Sequence, residues 1–93
     1  MVTLANALKL SAEHPDQYQT PSAEDKAPLR PGNLVKIRFE SQGWIEGMWV
    51  RITHRHGRDL QGTLENAPFL LDAVLARGDT ITFSLDNILD IEN

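Results

Sequence analysis

The sequence contains no cysteine, which excludes disulfides, a thiol nucleophile and the thiolate ligands of a zinc ribbon. Aromatic residues are scarce at 6%, with two Trp, one Tyr and three Phe, so an aromatic outside an apolar pattern is informative. No apolar run approaches the ~20 residues needed to cross a bilayer. The start, Met1-Val2-Thr3-Leu4, has neither the basic beginning nor the long apolar stretch of a signal peptide. A cytoplasmic chain with no membrane role is expected. Walker-type, nucleophile-elbow and paired-histidine motifs are all missing. No catalytic residue is therefore assigned, no enzyme is expected, and no cofactor is implied.

What is present is an ordinary globular composition, 41% hydrophobic and 24% charged over 93 residues. A single domain of this size buries only about 60–65% of the surface its unfolded chain exposes, which leaves little room for an enclosed active site. The net charge of −4 conceals an uneven distribution. Residues 1–29 set Lys9 and Lys26 against Glu13, Asp16, Glu24 and Asp25, a balance of −2. Residues 30–58 set Arg30, Lys36, Arg38, Arg51, Arg55 and Arg58 against Glu40 and Glu46, a balance of +4. Residues 59–93 set Arg77 alone against Asp59, Glu65, Asp72, Asp79, Asp86, Asp90 and Glu92, a balance of −6. Either basic and acidic strands neutralise each other side by side, or the basic segment forms a face for an anionic partner.

Leu4, Ala7 and Leu8 stand at helical spacing behind Thr3, which predicts a short N-terminal helix capped by Thr3 and ended at His14-Pro15. From Pro15 to Gly32 the repeated prolines predict an irregular arm, with Ser22-Ala23-Glu24-Asp25 able to start one capped turn. Residues 1–30 are accordingly read as helix and arm, and 31–93 as a small β-domain. Within it, Val35, Ile37 and Phe39 alternate with Lys36, Arg38 and Glu40. After a Ser41-Gln42-Gly43 loop, with Trp44 beside it, the run from Met48 to His54 alternates again. Met48, Val50 and Ile52 share one face; Trp49, Arg51 and Thr53 share the other.

A hairpin turn is expected at His56-Gly57-Arg58-Asp59. The next strand carries Leu60, Gly62 and Leu64, where Gly62 marks a bulge or a close approach of backbone. Phe69 to Arg77 suits either a short helix or a buried extended crossing. Thr80 to Ser84 reads as a strand, Ser84 to Ile88 as a capped single turn, and Leu89 to Ile91 as a final strand. This succession predicts a mainly β (α+β) fold: a small SH3-like antiparallel barrel of four to five strands with an N-terminal helix and irregular arm.

Five pieces carry a resemblance across about two thirds of the chain. They are Pro31-Gly32-Asn33-Leu34-Val35-Lys36, Glu46-Gly47-Met48-Trp49-Val50, the run from Gly62 to Pro68, the run from Gly78 to Phe83, and Ile88-Leu89-Asp90-Ile91. In this order they resemble an uncharacterised family of small bacterial domains, the YegJ-like domains of unknown function. Gly47 and Ala67 depart from that pattern, which has a bulkier, often basic residue and an acidic one there. The resemblance implies a compact β-rich fold and a bacterial intracellular accessory domain, and it brings no catalytic residue.

Trp49, with Arg51, Lys36 and Arg38, could form an aromatic platform bordered by cations. Alternatively the N-terminal helix and arm cover Trp49 through Leu4, Leu8, Tyr18 or Pro21. Trp44 is expected to be exposed, a position enriched at protein contacts. His54 and His56, two apart, could hold one edge of a metal site, with His14, Asp59 or Glu65 completing it. Solvated rings near a turn are the simpler reading, and no metal site is assigned. The expected function is a non-catalytic binding or scaffold module engaging a protein partner through Trp44, Trp49, Arg51, Lys36 and Arg38. The alternative is nucleic-acid binding through the same basic strand face.

Overall fold

A computed structural model of the chain describes residues 1–92. Its frame is one six-stranded antiparallel sheet curled into a half-barrel, the small SH3-like β-architecture the strand pattern predicts. The order along the chain is β1 (Thr3–Leu4), α1 (Ala7–Glu13), α2 (Ala23–Lys26), β2 (Leu34–Ser41), β3 (Trp44–His56), β4 (Asp59–Leu64), β5 (Thr80–Ser84), a 3₁₀ turn (Leu85–Asn87) and β6 (Ile88–Glu92). β2 is the hub. One of its edges pairs with β3, while the other is shared between β6 at Leu34–Ile37 and β1 at Phe39–Glu40.

Alternation decides which side is core. Val35, Ile37 and Phe39 of β2 are buried together with Met48, Val50 and Ile52 of β3, each with roughly 1.5–3 kcal/mol of burial to gain. Leu60, Leu64, Ile81, Phe83 and Ile88 complete the floor, and Leu29 and Leu71 join from outside the sheet. Gly62 sits where β4 passes tightly against β3: a Cβ there would lie 2.5 Å from the Arg51 carbonyl oxygen and 2.6 Å from Val50 Cγ1. The register of β3 on β4 shifts between Ile52 and His54, directly opposite this glycine.

Three elements differ from the sequence reading. The helix is capped by Asn6, whose Oδ1 accepts the Lys9 N–H at 3.0 Å. Thr3 and Leu4 instead extend the open edge of β2, where strand pairing satisfies their backbone; β1 is thus the strand beyond the expected four or five. β3 begins at Trp44, because Gln42 and Gly43, at φ +50° and +83°, close a two-residue hairpin. Phe69 to Arg77 forms neither helix nor strand. It makes a single turn closed by Leu75 N–H on Leu71 O at 2.9 Å.

The arm is fixed by specific bonds. Ser22 and Asp25 exchange the two bonds of a capping box at the start of α2. Arg55 Nη1 donates to the carbonyls of Lys26, Ala27 and Leu29 at 3.0, 3.1 and 2.8 Å, a cation on the C-terminal end of a helical turn. Lys26 is 5% exposed and its Nζ donates to Leu85 O at 3.2 Å. No helix among the described residues is long and apolar enough to cross a membrane.

Candidate functional site

Trp49, Arg51, Lys36 and Arg38 lie on the outer face of the sheet, opposite the core. Lys36 is the cross-strand partner of Trp49, and its ammonium stands 6.0 Å from the indole centroid, at the outer limit of a cation–π contact. The lysine stem reaches across β3 because position 47 carries no side chain: a Cβ on Gly47 would sit 3.1 Å from Lys36 Cε. The indole is half-buried. The arm lands beside it on Arg38, where Nη1 donates to the Tyr18 hydroxyl at 2.9 Å.

The arginines of this face are internally paired. Arg38 Nε meets Glu40 Oε2 at 2.8 Å, and Arg51 Nε meets Glu65 Oε1 at 3.1 Å. Arg51 Nη1 also donates to Gly32 O at 2.9 Å. Arg58 pairs with Asp86 at the far end of the molecule. Two of these three pairs join a base of residues 30–58 to an acid of residues 59–93, while Arg38–Glu40 lies within β2 itself.

Trp44 is on the other face. It shares the parity of Glu46, Met48 and Val50, and pairs with Ser41 at the closed end of the hairpin. Core packing has ended there and the indole is 56% exposed. The structure therefore brings Trp49, Arg51, Lys36 and Arg38 together and leaves Trp44 apart from them.

Next to Trp44 on the same face is Glu46, a charged residue at a core-parity position. Its carboxylate accepts three successive backbone N–H groups. Phe69 N donates to Oε2 at 2.9 Å, and Leu70 N and Leu71 N donate to Oε1 at 2.9 and 3.1 Å. Desolvation pushes the Glu46 pKa up, but the bonds from Phe69, Leu71 and Leu70 together outweigh it and hold the carboxyl below its ordinary value. The clamp presses Leu71 into the core while Phe69, 82% exposed, and Leu70 and Val74 face outward. Trp44 and this turn form an apolar rim at one end of the half-barrel. Sequence reasoning missed Glu46, Phe69 and Leu70. The signal available was the carboxylate interrupting the run Trp44, Met48, Val50, Ile52.

His54 and His56 are exposed at the far end of β3. His54 Nδ1 lies 3.1 Å from Thr53 Oγ1, and His14 stacks edge-on against Tyr18 at 6.5 Å. Among the described residues no group of three or more His, Asp or Glu side chains could hold a metal ion.

Comparison with known proteins returned no match among curated proteins and none among solved structures. The family comparison was positive: residues 16–92, from the start of the arm to the end of β6, match the family described as an uncharacterized protein conserved in bacteria. The chain belongs to that bacterial family, DUF2314.

Proposed function

We propose that the protein is a non-catalytic protein-binding module, and that its partner docks on the rim formed by Trp44, Phe69 and Leu70. The observation that carries this reading is the exposure of Trp44 and Phe69, 56% and 82%, on two segments that Glu46 ties together. A small domain gains stability by burying such side chains, and rigid exposed aromatics are the usual anchors of protein contacts. A cytoplasmic setting belongs to the same reading and agrees with a chain free of cysteine.

The face bearing Trp49, Arg51, Lys36 and Arg38 is assigned a supporting role. A nucleic-acid ligand would have to displace Glu40 from Arg38 and Glu65 from Arg51 before its phosphates gained those cations, which weighs against the alternative reading.

The test is affinity capture from a bacterial host lysate with wild-type protein, Trp44→Ala, Phe69→Ala and Trp49→Phe, all confirmed as folded. A partner retained by wild type and Trp49→Phe and lost from the two rim variants is the expected result. Capture that depends on Trp49 and ignores both rim positions would overturn the assignment.

A further inference from the structure

A second surface lies on the opposite side of the arm. Between the arm and β6 runs a groove of about 630 Å³, walled by Pro21, Glu24, Asp25 and Pro28 on one side and by Asp90 and Ile91 on the other. A second depression of about 410 Å³ continues it past Ile91 to Glu92 and Arg30. These volumes fall within the range of ligand clefts, roughly 300–1,000 Å³.

The backbone of β6 gives the groove a direction. Ala5 N–H donates to Arg38 O at 3.0 Å, so the main chain of Arg38 points away from β3. By antiparallel alternation Lys36 and Leu34 point the same way, toward their partners Asp90 and Glu92. The main chain of Ile91, between those two, then points off the sheet toward the groove. Its N–H is occupied only by the neighbouring carboxylate, Asp90 Oδ1 at 2.8 Å, and no strand pairs with that edge among the described residues. An unpaired strand edge is a template for an incoming extended chain.

We propose that this groove takes an extended basic segment of another protein, paired through its main chain to Ile91. Charge complementarity chooses that occupant. Glu24, Asp90 and Glu92 form no ion pair among the described residues, and Arg30 is the one cation along the groove. Asp90 and Glu92 flank Ile91 and share the face of Lys36 and Leu34. The residues before and after the one bonded to Ile91 therefore carry the cations, in an alternating basic–apolar–basic pattern. A cation that pairs with Asp90 draws its carboxylate off the Ile91 N–H, which frees that donor for the incoming strand.

The experiment is amide NMR of the whole chain with three short blocked peptides: one alternating Lys and Val, one alternating Glu and Val, and one with the same Lys and Val grouped in two blocks. The alternating Lys peptide is expected to shift Thr20, Asp25, Asp90 and Ile91, to slow hydrogen exchange at Ile91, and to bind about threefold more weakly to Asp90→Asn or Glu24→Gln. Trp44→Ala is expected to bind it as wild type does, which separates this site from the rim. No shifts in the groove, equal binding of all three peptides, or binding without protection of the Ile91 amide would each overturn the proposal.

Discussion

Glu46 shows how one side chain can organise a segment far from it in sequence. Its carboxylate replaces the helical acceptors that Phe69, Leu70 and Leu71 lack, and so holds an irregular turn without a helix or strand. Glu46→Gln keeps the size and one acceptor oxygen but loses the charge, and is expected to cost about 1–3 kcal/mol. The pH dependence has a definite sign. Because folding lowers this pKa, the stabilisation is fully present above the unfolded carboxylate value of about 4.3 and fades as pH falls through the lower folded value. Urea melts of wild type and Glu46→Gln between pH 7 and pH 3 should converge at the acid end. A difference that stays constant across that range would contradict the clamp. None of this was legible from the residues alone. The alternation read from Met48 to His54 stops short of Glu46, and the partners of its carboxylate are supplied by chain folding 23 residues away or more.

At the scale of elements, the strands were legible and the connections were not. β2 and the middle of β3 carry an uninterrupted period of two, and burial follows it residue by residue. The capped turn at Ser22 was readable because its signal is local. The start of α1 departs from its local signal because Thr3 and Leu4 answer to strand-edge partners 37 and 35 residues away, which outweighs their helical spacing. The arm likewise depends on a distant residue, Arg55, whose three carbonyl contacts lie 26 to 29 positions upstream. Arg55→Ala should speed hydrogen exchange at the Lys26, Ala27 and Leu29 amides by roughly tenfold, the equivalent of one lost hydrogen bond, while β2 and β3 amides remain protected. Unchanged exchange in α2 would show that Leu29 burial alone holds the arm.

For the whole molecule, the two tryptophans mark two different surfaces. β3 runs without a register shift from Trp44 to Arg51, so residues of unlike parity end on opposite sides of the half-barrel. The sequence identified both indoles as candidate contacts and placed Trp49 on the non-core face correctly. It could not separate their roles, because the hairpin closes at Gln42-Gly43 through a left-handed glutamine. That turn extends β3 back to Trp44 and gives it the core parity beyond the end of the core. Trp49 rests under a lysine and beside paired arginines, whereas Trp44 stands open next to a clamped apolar turn.

The most direct test of this account is acrylamide quenching of tryptophan fluorescence in the single-tryptophan variants Trp49→Phe and Trp44→Phe. The account predicts strong quenching and red-shifted emission from Trp44 in the first variant, and weaker quenching with bluer emission from Trp49 in the second. Equal quenching, or Trp49 as the more accessible indole, would contradict it.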